Sequence, residues 1–305
     1  MMAEKDVVII GGGIAGLTAA LYTQRAGHDC VVIEKNVCGG QIVQSGEVEN
    51  YPGIKSTDGP SIAMTLWEQA TAQGAEVIFD AAVSLELDEE IDKKMVLLSN
   101  GEVIYAKTVI WAGGAKHRKL GCKGEDEFSG RGVSYCATCD GAFYRGKTAA
   151  IVGGGNTALE DALFLSRICE KVYLIHRRDT FRGEAVLAEA VKKQENIELI
   201  LNANVTEITG DKKVSGARIA LGDGSEREIE ISGIFIAVGV VPDTEMLRGL
   251  VELDEAGYVV AGEDCKTNVD GIFVAGDCRT KALRQLVTAA CDGANAATNA
   301  CALCR

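Results

Sequence analysis

The chain has 305 residues, 47% of them hydrophobic and 25% charged, and carries a formal net charge of −13. That much apolar side chain excludes a disordered chain, and the length suits about two domains. The acidic balance argues against nucleic acid and anionic membranes as partners. Glycine, at 36 residues against 3 prolines, points to tight turns within regular structure. The 11 cysteines are odd in number, so they cannot all pair within one chain, and they suit a reducing, cytoplasmic setting. The longest uncharged run, residues 7–24, contains Gly11, Gly12, Gly13 and Gly16 and lacks a basic flank or cleavage site. Neither a signal peptide nor a membrane span is expected.

Residues 6–35 read as an apolar strand, a glycine turn, an amphipathic helix and a second apolar strand, which is a βαβ unit. In the turn Gly11-x-Gly13-x-x-Gly16, the first glycine permits the tight bend and the second lets the backbone approach a pyrophosphate. The third allows close helix–strand packing. Glu34, at the end of the second strand, is placed to accept hydrogen bonds from the ribose hydroxyls of an adenosine. Residues 94–106 alternate as a hairpin about Asn100-Gly101, and an apolar strand follows over 109–113.

Cys136 and Cys139 then form a C-x-x-C pair between Gly132 and Gly141. Such a pair closes a small disulfide or binds zinc. Zinc needs two further ligands, and with 3 histidines and no second pair nearby, redox chemistry is the better reading and no metal is expected. A helix starting near Cys136 would favour its thiolate. Asp140 is either the local proton donor or a carboxylate at a helix N-terminus.

Residues 148–177 superimpose on 6–35 without a gap, with identities at Ile9, Gly11, Gly12, Gly13, Leu17, Ala20, Leu21, Arg25 and Ile33. The chain thus holds two similar nucleotide-binding units. The second turn is Gly153-x-Gly155-x-x-Ala158, and His176, Arg177, Arg178 and Arg182 stand where the first unit has Glu34. A basic cluster there suits the 2′-phosphate of NADPH, the alternative being a solvated basic loop. A second hairpin, 215–229 about Asp223-Gly224, precedes a strand over 234–239. A last strand, 271–275, ends in Gly276-Asp277 ahead of a helical segment over 286–301 that completes the first domain. The expected domains are therefore 1–113 with 245–305, and 114–244 inserted between them. The first dinucleotide is NAD(H) or FAD. A second dinucleotide beside NADPH means, most economically, a flavin that accepts hydride.

The layout resembles the low-molecular-weight, bacterial-type thioredoxin reductases of the pyridine nucleotide-disulfide oxidoreductase family. The matching stretches are 11–16, Cys38-Gly39-Gly40-Gln41, Glu49-Asn50-Tyr51-Pro52-Gly53, 135–141, 153–160, 176–182, and 271–277 with Arg284 and Gln285. The resemblance implies an α/β fold of two Rossmann-like dinucleotide-binding domains, each three-layered (ββα), with the NADPH domain inserted in the FAD domain. It implies that Gly11, Gly13, Ile14, Ala15, Gly16, Glu34, Lys35, Gly39, Gly40, Gln41, Asn50, Val83, Ala112, Gly113, Gly276, Asp277, Arg284, Gln285 and Leu286 contact or flank FAD. NADPH falls to Gly153, Gly155, Asn156, Thr157, Ala158, Glu160, His176, Arg177, Arg178 and Arg182. Cys139 faces the flavin, Cys136 attacks the disulfide of thioredoxin or a thioredoxin-like dithiol protein, and Asp140 is the acid. A homodimer is implied, in which the NADPH domain of each chain rotates. Rival readings are a reductase for another dithiol protein, such as a peroxidase system, and a slow-turnover NADPH redox sensor. The remaining cysteines, the terminal pair Cys301 and Cys304 included, read as packed thiols.

Overall fold

The computed structural model describes residues 3–88 and 90–304. Its strands and helices run β1 (Ala3–Ile10), α1 (Ile14–Arg25), β2 (Cys30–Ile33), α2 (Gly59–Ala72), β3 (Glu76–Ile78), β4 (Ala82–Asp88), β5 (Lys93–Leu98), β6 (Val103–Trp111), β7 (Ala115–His117), β8 (Val133–Ser134), α3 (Ala137–Asp140), β9 (Thr148–Gly153), α4 (Asn156–Ser166), β10 (Lys171–Ile175), α5 (Ala185–Lys192), β11 (Ile197–Ile200), β12 (Ala203–Gly210), β13 (Val214–Leu221), β14 (Glu226–Glu230), β15 (Gly233–Ala237), β16 (Val240–Pro242), β17 (Ile272–Val274) and α6 (Leu286–Leu303). The chain divides into two compact units, 1–116 with 241–305, and 117–240. The crossings thus lie a few residues inward of the expected 113/114 and 244/245.

In the first unit β3, β2, β1 and β6 lie side by side, and β17 joins β6 in parallel. Val7–Ile10 of β1 and all of β2 are apolar on both faces because both faces are covered. One face packs on the alanine-rich sides of α1 and α6, with Val7, Ile9, Val32, Ile110 and Phe273 at its centre. A Cβ on Gly293 of α6 would collide with the Ala15 carbonyl, so glycine there sets how closely the two helices cross. The other face is covered by Leu85 and Leu98 of the β4–β5 hairpin and by Leu247 and Val259. The hairpin and the apolar strand expected at 109–113 are not separate. β6 is one continuous strand, antiparallel to β5 at its start and parallel to β1 along most of its length. Gly101, at φ 87°, makes the tight turn that the Asn100-Gly101 pair signals.

The second unit repeats the plan with its layers separated. Its parallel sheet has the order β11, β10, β9, β15, β8. Ala158, Leu159, Leu165 and Val191 of α4 and α5 fill one face. The antiparallel meander β12–β13–β14 covers the other through Val205, Ile219 and Ile229. Here the hairpin does end before the next strand, and β14 and β15 belong to different sheets. Both units are Rossmann-like.

Candidate functional site

The first glycine turn joins β1 to α1. Gly11 sits at φ 108°, where a side chain is strained, and a Cβ there would also strike the Ala112 carbonyl. A Cβ on Gly16 would strike the Gly11 carbonyl. Gly13, the N-cap of α1, has an ordinary φ of −74° and no side-chain cap. Its missing Cβ faces only Gly40, at 4.0 Å, so nothing in the protein needs glycine at 13. The α1 N-terminus is thus open to a negative group.

Three sequence-distant segments converge on this turn. At the end of β2, Glu34 is buried, and its two carboxylate oxygens accept from Gly12 N at 2.7 Å and Asn36 N at 2.8 Å. The loop carrying Cys38, Gly39 and Gly40 lies over it, with Gly39 N donating to Gly12 O at 2.7 Å. Gln41 reaches across to the Ala115 carbonyl. Gly276, after β17, brings its backbone beside Ala15, 3.0 Å from where its own Cβ would be. Next to it Asp277 Oδ1 is buried with no hydrogen-bond partner among the described residues, and burial pushes its carboxyl above the usual range. Arg284 lies 4.2 Å over the Tyr258 ring and donates to the Asp277 carbonyl, and Asn50 bonds Gln285 at 3.1 Å. Leu286 opens α6 beside a capping box made by Gln285 and Thr288. Lys35 is instead tied to Asp243, and Val83 is an exposed residue at the register shift between β4 and β5. Ala112 and Gly113 follow β6 under Gly11.

Asp292 of α6 belongs to no sequence motif, yet it organises the Gly276 turn. Its carboxylate, 2% exposed, accepts from Gly276 N at 3.0 Å, Arg279 at 2.7 and 3.0 Å and Lys281 at 2.6 Å. Burial alone would raise its pKa, but the two cations outweigh that and hold it low. A depressed carboxyl stabilises the fold above its unfolded pKa of about 4, and that stability is lost as pH falls through the folded value. Asp292→Ala should cost roughly 3–5 kcal/mol in denaturant unfolding at neutral pH, because two cations stay buried unpaired. A loss under about 1 kcal/mol would show the network to be dispensable.

The second turn differs in chemistry. A Cβ on Gly153 would meet the Ala237 carbonyl, while Gly155, the uncapped N-cap of α4, has open space. Ala158 is fully buried against Gly153, and Asn156, Thr157 and Glu160 are exposed. The loop after β10 folds back over this turn. Arg182 N donates to Gly154 O at 2.7 Å, and Asn156 and Glu184 exchange bonds of 2.7 and 2.9 Å. Arg177, Arg178 and Arg182 are exposed, and none pairs with a carboxylate among the described residues. His176 is different: it is buried, bonded to the Thr180 carbonyl and stacked on Phe181, in the space that a Gly154 side chain would occupy. Burial, aided by the three arginines, lowers its pKa and keeps it neutral. It shapes the turn, and the arginines supply the charge.

Cys136 and Cys139 form a disulfide with Cα atoms 5.3 Å apart. Cys136 is the N-cap of the four-residue helix α3, with its backbone N held by Ser134 Oγ at 3.1 Å. Cys139 is exposed. Asp140 closes the helix, and burial raises its pKa against a hydrogen bond with Ser134 that lowers it. The nine other cysteines are free thiols. Cys278 is fully buried and bonded to the Ala275 carbonyl, which is a packing role.

The sequence profile of the pyridine nucleotide-disulphide oxidoreductases matches residues 5–293, and the chain belongs to that family. Its enzymes use FAD and NADPH, and the cradle at Gly11, the fixed Glu34 and the unpartnered Asp277 Oδ1 fit a bound dinucleotide. Within the family the similar proteins are thioredoxin reductases. That of Listeria monocytogenes is 46% identical over 299 residues, covering 97% of this chain and 92% of that protein. That of Bacillus subtilis is 41% identical over 304 residues, covering 97% and 94%. The crystal structure of thioredoxin reductase from Streptococcus pyogenes superimposes with a TM-score of 0.95 at 38% identity, covering 99% of each chain. No helix among the described residues is long and apolar enough to cross a membrane.

Proposed function

We propose that the chain is an NADPH-dependent thioredoxin-disulfide reductase, with FAD in the first unit and NADPH in the inserted one. The observation that carries the reading is the closed Cys136–Cys139 disulfide, partly open to solvent, in a unit with its own dinucleotide turn. Gly11, Gly13, Ile14, Ala15 and Gly16 would hold the FAD pyrophosphate and Glu34 its ribose. Asp277, with Arg284 and Gln285, would face the ribityl chain. When bound, FAD would supply the two-electron chemistry that links NADPH to the protein disulfide.

The chain's own residues do the rest. Two electrons and two protons open Cys136–Cys139 to a dithiol. The Cys136 thiolate then attacks the disulfide of the partner, and one partner thiolate leaves, taking a proton from Asp140. Cys139 attacks the mixed disulfide, which releases the reduced partner and closes the ring again. The test is NADPH oxidation with a panel of oxidised thioredoxin-like proteins. Turnover with none of them, in yellow and folded protein, would remove the assignment. A homodimer and a cytoplasmic setting belong to the same reading, the latter supported by nine free thiols.

Two further outcomes are expected. Arg177→Ala/Arg178→Ala should lower kcat/KM for NADPH by about 10- to 150-fold, the value of one charge-assisted hydrogen bond, and affect NADH far less. Equal losses with both would make the cluster structural. Asp140, its pKa raised by burial, keeps its proton to higher pH than an ordinary carboxyl. Disulfide reduction should therefore fall as pH rises through that value, and Asp140→Asn should flatten this limb of the pH profile. An unchanged limb in the variant would assign it to another group.

A further inference from the structure

At the end of the first unit away from the glycine turn, three potential ligands from three elements meet. Asp6 lies on β1, His28 in the turn between α1 and β2, and Cys304 at the C-cap of α6. One ligand atom from each lies within 4.8 Å of both others. We propose that Asp6 Oδ2, His28 Nδ1 and Cys304 Sγ bind a divalent cation of the zinc class, with water as the fourth ligand.

The geometry is nearly formed. Tetrahedral zinc, with bonds of about 2.0–2.3 Å, places its ligand atoms about 3.3–3.8 Å apart. His28 Nδ1 and Asp6 Oδ2 already stand 3.4 Å apart. Cys304 Sγ lies within 4.8 Å of a carboxylate oxygen of Asp6 and a ring nitrogen of His28, so a shift of about 1 Å brings it to ligand spacing. It is held nearby, 3.5 Å from the Asp6 carbonyl and 3.7 Å from Thr108 Oγ1, with the Ala300 carbonyl at 3.4 Å.

The donor set is selective. Imidazole, thiolate and carboxylate together suit zinc, and not magnesium or calcium, which prefer all-oxygen shells. Carboxylate and thiolate neutralise a dication, and the Cys304 proton leaves to solvent when the ion binds. Lys107 already pairs with Asp6, at 2.8 Å, but through Oδ1, so the oxygen facing His28 is left for the ion and for Asp29 N at 3.2 Å. The His28 and Asp6 side chains, 18% and 25% exposed, leave an entry path from solvent. Cys301 lies outside this group of ligand atoms. The Cys301/Cys304 spacing is therefore incidental, and only Cys304 belongs to the site. An ion here would tie the last turn of α6 to β1 and to the turn ahead of β2.

The test uses FAD-loaded, full-length protein with Cys136–Cys139 kept oxidised, so that this pair offers no ligands. After metal is stripped, Zn2+ alone is titrated against a chromogenic chelator, and Co2+ is read in the red, beyond the flavin bands. One Zn2+ per chain is expected, with a tetrahedral thiolate–cobalt spectrum and a rise in Tm on the order of 5 °C at saturating zinc. Cys304→Ser and His28→Gln should each abolish all three, and Cys301→Ser should keep them. Lys107→Met removes a competing cation and should tighten Zn2+ on the order of tenfold, a gain that misfolding cannot mimic. No uptake, uptake indifferent to Cys304→Ser and His28→Gln, loss in Cys301→Ser, or weaker binding in Lys107→Met would each overturn the site.

Discussion

Cys136→Ser should lower reduction of a thioredoxin disulfide by about 10³-fold or more while NADPH still bleaches the flavin. The split follows from the division of labour. NADPH oxidation needs the two glycine turns, whereas transfer to a protein needs a thiolate that can reach another molecule. Cys136 is half-buried at the start of a one-turn helix, with its neighbour Cys139 exposed, so both can be presented to a partner. The second C-x-x-C is the control. Cys301 and Cys304 are each 6% exposed and burial raises both thiols, so neither is a ready thiolate at neutral pH. Cys301→Ser/Cys304→Ser should keep near-full turnover. A tenfold loss there, with FAD and fold intact, would show that electrons leave by the tail. Flavin that cannot be reduced in Cys136→Ser would mean that the substitution damages more than exchange.

Gly13→Val should give folded, colourless protein, its FAD content down by roughly tenfold or more. Among the glycines of the first turn, position 13 is the informative one. Gly11 and Gly16 are required by the fold itself, because a Cβ at either collides with backbone carbonyls. Their replacement would confuse lost cofactor with lost structure. At Gly13 the backbone is ordinary and the nearest atom to an added Cβ is 4.0 Å away. A valine there meets only what approaches from outside, which on the proposed reading is the pyrophosphate. Full yellow colour in this variant would place the dinucleotide elsewhere.

What the sequence shows and hides follows from how local each signal is. The glycine turns, Glu34, the arginines and the C-x-x-C pair are legible because each is a short motif tied to one βαβ unit. Periodicity also fixes the hairpin turns at Gly101 and Gly224, yet it does not show that β6 runs unbroken from hairpin to core while β14 and β15 part company. That difference is made by pairing partners far along the chain. His176 reads in sequence as one more cation, and only burial under Gly154 shows it to be neutral. Asp292 carries no motif, since its three partners lie 11 to 16 residues upstream across a turn. Asp6, His28 and Cys304 are the extreme case. The first and last are separated by nearly the whole chain, so no spacing rule could join them.

The first unit is closed by pieces that follow the inserted one. β17 and α6 follow the inserted unit in the chain, and α6 covers one face of the sheet with Gly293 fitted against α1. During synthesis β1 to β6 therefore emerge with one apolar face covered by α1 but not yet by α6, while 117–240 forms one continuous stretch. The inserted unit is able to finish before the outer one, which waits for β17 and α6. Asp277 and Asp292 both arrive after the inserted unit. On the proposed reading, capture of the first dinucleotide therefore follows folding of the inserted unit.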